Sequence, residues 1–218
     1  IEKYKRISII GMEKNVGKTT LLNKLIADIG KTKKLGLTSI GRDGEDIDVV
    51  TNTDKPRIYV REGSIIATGR DCLSKCDITK EILYVTNFTT PMGSIVLVRA
   101  LSDGYVDIAG PSYNKQVKII VELMEKFGSE ISIVDGALGR KSTAISDVSE
   151  ATILSTGAAL SLDMLKVVEE TKKTVYFLRL KEIDKNIKEK IKEFKDEKAV
   201  LFYKNGEVAI LEVDNSID

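Results

Sequence analysis

The chain has 218 residues, of which 42% are hydrophobic and 31% charged, so it is long enough and apolar enough to bury a core. Lysine and arginine number 34 and aspartate and glutamate 33, so the chain has no overall positive charge of the kind on which non-specific nucleic-acid binding depends. The absence of histidine excludes Ser-His-Asp catalysis, Cys-His catalysis and any histidine-ligated zinc site.

The first half of the chain begins with strand and helix signals. A β-branched run at 6–10 predicts a strand, and apolar residues at helical spacing over 19–29 predict a helix. Residues 35–40 predict a second strand, which an acidic loop follows. From 57 to 110, short β-rich runs alternate with turn signals, which predicts a partly antiparallel β-rich insertion.

Strand and helix signals alternate again after residue 110. The predicted helices cover 114–127, 161–172 and 182–195, and the predicted strands cover 131–135, 152–157 and 174–180 (TVYFLRL). AVLFY and EVAIL, joined across Asn205-Gly206, predict a closing hairpin. Apolar strands alternating with helices are typical of a parallel sheet covered on both faces. We therefore predict one three-layer α/β domain over 1–218 that contains the β-rich insertion 57–110.

The segment GMEKNVGKTT, residues 11–20, joins the first strand to the first helix. A phosphate site at such a junction needs backbone N–H groups, a lysine for the β and γ oxygens, and a hydroxyl for Mg²⁺. Gly17 allows close approach of the backbone, Lys18 supplies the charge and Thr19 supplies the hydroxyl. The alternative is a Gly-Lys-Thr helix start that binds no ligand. The expected nucleotide-binding residues are Gly11, Lys14, Asn15, Val16, Gly17, Lys18, Thr19 and Thr20.

The spacing of this loop resembles that of a known protein group. Five residues, not the usual four, separate Gly11 from Gly17, and G-x5-G-K-[ST] resembles the loop of P-loop NTPases of the dethiobiotin synthetase and cobyrinic acid amide synthetase type. IVDGALG, 133–139, resembles the acidic-Gly-x-x-Gly segment of that group, with Asp135 in place of glutamate. The resemblance implies a parallel α/β fold that binds a nucleotide with Mg²⁺. A guanine-reading Asn/Thr-Lys-x-Asp segment after a late strand is absent, which favours ATP over GTP.

The resemblance also implies the metal ligands. Asp135 would hold Mg²⁺ with Thr19 and with a carboxylate from the acidic loop after the second strand. Asp43 is the first choice for that carboxylate, and Asp46 and Asp48 come next. The alternatives are that Asp135 caps a turn and that the acidic loop is simply exposed.

The expected catalytic residues are Lys18, Asp135 and Arg140. Arg140 and its neighbour Lys141 follow the Asp135 segment and would stabilise charge in the transition state, or else they form a solvated basic pair. Because no general base stands out, we expect slow hydrolysis of ATP that a partner stimulates.

Two departures from the resembled enzymes bear on the reaction. The lysine that dethiobiotin synthetases carry in the second strand is missing, and no glutaminase domain is present, so neither ligase reaction carries over. VDGALGRKS followed by ILSTGAAL resembles an accessory protein of the cobalamin-dependent lysine 5,6-aminomutase, which implies a reactivating partner role. The resemblance also implies a homodimer, since many proteins of the group bind nucleotide between two subunits.

Two other functions remain open. One is a small-carboxylate ligase or kinase with a pocket lined by Lys33, Lys34 and Arg42, and the other is a scaffold that binds nucleotide without hydrolysis. The expected location is the cytoplasm, because Cys72 and Cys76 are too few for a disulfide framework or a zinc site. No apolar run approaches the roughly 20 residues of a membrane helix, so we expect no membrane interaction.

Overall fold

The computed structural model describes residues 3–41, 47–48, 53–54, 57–136, 148–180 and 183–212, with the backbone alone at 47–48 and 53–54. The chain divides into two compact units, Ile1–Lys173 and Thr174–Asp218. The larger unit holds the central sheet and every candidate site residue. The single domain expected over 1–218 stays a prediction.

The described residues form thirteen strands, four α-helices and two short 3-10 turns. The strands are β1 Arg6–Gly11, β2 Leu35–Ser39, β3 Ile47–Asp48, β4 Thr53–Asp54, β5 Ile58–Val60, β6 Ile65–Gly69, β7 Lys80–Thr90, β8 Gly93–Ala100, β9 Gly104–Val106, β10 Ile131–Asp135, β11 Ala151–Ser155, β12 Val200–Phe202 and β13 Val208–Ile210. The helices are α1 Lys18–Ile29, α2 Asn114–Lys126, α3 Met164–Leu178 and α4 Lys185–Ile191, and the 3-10 turns are Arg70–Lys75 and Lys192–Phe194.

Seven strands form the central sheet in the order β11-β1-β10-β2-β6-β8-β7. The first five run parallel, and β8 pairs antiparallel with both β6 and β7. The sheet is therefore mostly parallel with flanking helices, which confirms the α/β class. The other strands form three two-stranded pairs, β3-β4, β5-β9 and β12-β13.

The two faces of the sheet pack against different elements. On one face lie α1 and the β5-β9 pair, and on the other lies α2. Both helices bury the apolar side chains that recur every three or four residues, because this spacing places them on one side. These side chains are Leu22, Leu25, Ile26 and Ile29 in α1, and Val117, Ile120, Val121 and Met124 in α2.

The β-rich character predicted for residues 57–110 is observed. Three of its strands extend the central sheet, β6 in parallel with β2 and then β8 and β7 as an antiparallel hairpin. The remaining two, β5 and β9, pair antiparallel with each other and pack on the face that α1 covers.

The strand predicted at 174–180 is wrong, because α3 continues through Leu178. The predicted start at Ser161 is also wrong: the Asp163 carboxylate accepts the Leu165 N–H at 2.9 Å, and the helix begins at Met164. Thr174–Leu178 is β-branched and aromatic, which favoured a strand. No glycine or proline interrupts the helix there, and adding a turn to a formed helix avoids the cost of nucleation.

The smaller unit holds the shortened α4 and the closing hairpin. The helix predicted over 182–195 forms as α4 followed by a 3-10 turn that ends at Phe194. β12 and β13 pair antiparallel, and the turn at Asn205-Gly206 has Gly206 at a φ of 92°. The hairpin prediction is confirmed.

Candidate functional site

The carboxyl ends of β1, β10, β2 and β11 meet at one edge of the sheet. Backbone hydrogen bonds join these ends: the Gly136 N–H donates to the Ile9 carbonyl, the Ile40 N–H to the Asp135 carbonyl, and the Met12 N–H to the Ser155 carbonyl, each at 2.8 Å. Crevices outside the carboxyl ends of parallel strands are where such sheets bind ligands. We call residues 11–19, which leave β1 and open α1, the loop.

The loop backbone contains two left-handed residues around Val16. Asn15 has a φ of 60° and Gly17 a φ of 84°. Asparagine tolerates this conformation better than most residues, and glycine adopts it freely. Alternating handedness along a short segment is the geometry of backbone concavities whose N–H groups bind anions.

The first turn of α1 has no side-chain cap. Gly17 is the N-cap residue and makes no side-chain hydrogen bond, and no acidic residue lies in the first turn. The first hydrogen bond of the helix runs from the Leu21 N–H to the Gly17 carbonyl at 2.9 Å. The N–H groups that precede Leu21 therefore have no partner within the helix, and the positive end of the helix dipole faces the loop.

Lys18 is folded back into the loop. Its ammonium donates to the Glu13 carbonyl at 3.0 Å, and the side chain is half-buried. Burial lowers the pKa of Lys18, while the charges of the Asp135 and Glu13 carboxylates oppose the shift. Among the described residues the partly desolvated ammonium has one hydrogen-bond acceptor, the Glu13 backbone carbonyl, which is a weaker partner than an anionic oxygen.

Gly11 makes room for this lysine. A Cβ on Gly11 would lie 2.7 Å from Lys18 Nζ, 2.9 Å from Lys18 Cδ and 2.7 Å from Val16 Cγ2. These separations are too short for carbon contacts, so any side chain at this position would displace the lysine.

Thr19 and Asp135, the residues expected to bind Mg²⁺, both lie at this edge of the sheet. Asp135 ends β10, in register with Ile9 of β1 and Ser39 of β2. Side chains alternate along a strand, and Ile131 and Ile133 pack in the cluster with α1, so Asp135 lies on the face that α1 covers. Thr19 is half-buried in the first turn of that helix.

A hydroxyl and a carboxylate fit Mg²⁺ bound to a nucleotide. Mg²⁺ takes one or two protein oxygens and fills its octahedron with phosphate oxygens and water. No cluster of three or more acidic or cysteine side chains occurs among the described residues, so a metal held by protein ligands alone has no candidate there. Thr19 and Asp135 therefore suit a metal that arrives with phosphate.

The other predicted site residues are buried, exposed or outside the described part of the chain. Val16 is buried, while Lys14, Asn15 and Thr20 are exposed around the mouth of the loop. Arg140, Lys141, Asp43 and Asp46 lie outside the described residues, as does the side chain of Asp48.

Lys33 and Lys34, which the small-carboxylate ligase alternative places in a substrate pocket, lie away from the loop. They precede β2 and so lie at its amino end, roughly 17 Å along a five-residue strand from the edge where the loop lies. The Lys33 ammonium there contacts the Glu130 carboxylate at 2.9 Å. This pair therefore lines no pocket at the loop, and Arg42 lies outside the described residues.

Sequence reasoning missed the segment 107–111, which borders the site beside β2. The Gly110 N–H donates to the buried Ser39 Oγ at 2.9 Å, and the Gly41 N–H donates to the Pro111 carbonyl at 3.1 Å. The Gly110-Pro111 dipeptide signals a turn, but nothing local in the sequence indicates that this turn lies against the end of β2.

Comparisons of the chain with protein-family models, with curated proteins and with solved structures found no match. Among the described residues, every helix is too short or too polar to cross a bilayer.

Proposed function

We propose that the chain is a P-loop NTPase that binds ATP with Mg²⁺ at the loop and hydrolyses it slowly. The observation that carries the proposal is the Lys18 ammonium, which lies inside the loop on the Glu13 carbonyl, in space that only a glycine at position 11 leaves free. The resemblance of G-x5-G-K-[ST] to P-loop NTPases supports the same assignment.

Different residues of the loop and of β10 would bind different parts of a Mg²⁺-bound triphosphate. The left-handed positions Asn15 and Gly17 shape a backbone concavity for phosphate oxygens. Lys18 exchanges the Glu13 carbonyl for β and γ oxygens and neutralises their charge. Thr19 and Asp135 are the residues that would hold Mg²⁺, which supplies charge neutralisation on the phosphates when bound.

Slow turnover follows from what the site lacks. The sequence has no histidine, and the Asp135 carboxylate is assigned to the metal, so no general base for the attacking water stands out. Hydrolysis then depends on positioning and charge stabilisation alone. A partner that supplies a further group would accelerate it.

The experiment is ATP binding and phosphate release by the purified chain, with and without Mg²⁺. We expect Mg²⁺ to tighten ATP binding in the parent, and Asp135→Asn and Thr19→Val to remove most of that tightening while Mg²⁺-free affinity is kept. Equal affinity with and without Mg²⁺ would contradict the metal assignment. Mg²⁺-dependent binding without phosphate release would identify a scaffold.

The partner we propose is a cobalamin-dependent aminomutase, which the chain would reactivate with ATP. The support for this is the resemblance of VDGALGRKS and ILSTGAAL to the accessory protein of lysine 5,6-aminomutase. The test is whether the chain plus ATP restores an inactivated aminomutase. No recovery beyond that produced by Lys18→Met with ATP would count against it.

A further inference from the structure

The segment Asp107–Pro111, which we call the strap, lies across the carboxyl ends of β6 and β2. On β6, the Thr68 hydroxyl donates to the Asp107 carbonyl at 3.0 Å and accepts the Ala109 N–H at 2.9 Å. The Gly69 N–H also donates to the Ala109 carbonyl at 2.9 Å. The strap is thus fixed to the strand next to β2.

On β2, one buried hydroxyl holds the strap. Ser39 Oγ accepts the Gly110 N–H at 2.9 Å and donates to the Ile108 carbonyl at 3.3 Å. The fit is close, because a Cβ on Gly110 would lie 1.8 Å from the Ser39 carbonyl oxygen. Only glycine allows the strap to approach the strand this closely.

Ser39 is directly connected to the candidate metal ligand. It is the register partner of Asp135, and both side chains lie on the face that α1 covers. The next residue, Ile40, donates its N–H to the Asp135 carbonyl at 2.8 Å. The negative charge of the Asp135 carboxylate in turn favours the charged form of Lys18, against the effect of burial on the pKa of that lysine.

We infer that Ser39 is a positioning residue, which clamps the strap to β2 and thereby holds Asp135 where it serves the Mg²⁺ of a bound nucleotide. The inference rests on the proposed function and extends it to the β-rich segment, whose last strand, β9, leads straight into the strap. Alanine at position 39 would remove the hydrogen bonds of Ser39 Oγ to the buried Gly110 N–H and the Ile108 carbonyl and free the end of β2.

The chain offers a matched control for Ser39→Ala. Thr86 in β7 is also a buried hydroxyl that donates to a carbonyl, that of Ile95 at 2.9 Å, and accepts an N–H, that of Phe88 at 3.1 Å. β7 is the far edge of the sheet, four strands from β10. Thr86→Ala therefore removes an equivalent pair of hydrogen bonds away from the loop.

The experiment measures ATP affinity of the parent and both variants, with Mg²⁺ and with chelator. We expect Ser39→Ala to weaken binding about tenfold with Mg²⁺ and less than twofold without it, because only the metal ligand is misplaced. Thr86→Ala should change neither value by more than twofold. A loss in Ser39→Ala that is equal with and without Mg²⁺, or is matched by Thr86→Ala, overturns the inference.

Amide hydrogen exchange in the nucleotide-free protein separates this inference from the proposed function. Ser39→Ala should accelerate exchange of the Ile40 N–H at least tenfold over the parent, and Thr86→Ala should not. Gly110→Ala, which displaces the strap from the opposite side, should do the same as Ser39→Ala. Unchanged protection of Ile40 overturns the inference even where the parent binds ATP, whereas a parent that binds no ATP overturns the proposed function and the metal role with it.

Discussion

Replacing Gly11 by alanine tests whether the space inside the loop is reserved for the lysine. The added Cβ would lie 2.7 Å from both Lys18 Nζ and Val16 Cγ2, and ordinary contact begins near 3.4 Å. Both side chains must therefore move by about 0.7 Å. Gly11 ends a strand and its φ is not positive, so alanine itself brings no backbone strain.

The cost should appear in nucleotide affinity more than in stability. The Lys18 ammonium is the far end of a flexible side chain and can swing into solvent, so the fold tolerates the change. A charge-assisted hydrogen bond contributes about 1.5–3 kcal/mol, which corresponds to roughly tenfold to 150-fold in dissociation constant. We therefore expect Gly11→Ala to weaken Mg²⁺-ATP binding within that range.

Titration calorimetry with Mg²⁺-ATP measures this effect, and Gly157→Ala is the control. Gly157 follows β11 at the same edge of the sheet, but its Cβ would meet nothing within 4 Å and its φ is not positive. Gly157→Ala should bind ATP as the parent does. If Gly11→Ala also binds within twofold of the parent, the loop does not hold Lys18 in a position that matters for phosphate.

Three further predictions concern charge and packing. Burial lowers the pKa of Lys18 from 10.5, so below the folded-state pKa the buried charge destabilises the folded protein. The free energy of unfolding of Lys18→Met in urea at pH 7 should therefore be no lower than that of the parent. As the pH rises towards 10.5, the parent should gain stability and lose ATP affinity. The Lys34 N–H and the Lys33 ammonium lower the pKa of Glu130 below 4.5, so the stability they provide should be lost on acidification below pH 4.5, and Glu130→Gln should flatten that loss in acid unfolding curves. Met124 is 0% exposed in the core under α2, so Met124→Ala should lower the free energy of unfolding by about 2–5 kcal/mol, whereas Met164→Ala, 74% exposed, should change it by less than about 0.5 kcal/mol.

The central strands and the first two helices were predictable because their burial follows the sequence period. Three of the five residues of β10 (ISIVD) are apolar and the first four are buried, and the apolar positions of α1 and α2 recur at helical spacing. The position of the loop followed from the same argument, since a strand ending in glycine before a Gly-Lys-Thr helix start leaves little freedom. Each of these features is local, because the residues of one continuous segment of the chain determine it.

The wrong and the missed predictions concern features of the structure that tertiary contacts determine. Thr174–Leu178 has strand propensity, yet it continues a helix that had already formed. The strap meets Ser39 across 71 residues of chain, and no local pattern encodes that contact. The crowding at Gly11 likewise depends on where Lys18 and Val16 fold, which the motif alone does not specify.

The most direct measurement of the central claim is calorimetric titration of ATP with Mg²⁺ into the parent and into Lys18→Met. We expect saturable binding to the parent and loss of at least tenfold in affinity in Lys18→Met, with both proteins equally folded by circular dichroism. Absence of binding to the parent at millimolar ATP, or equal affinity in the two proteins, would contradict it.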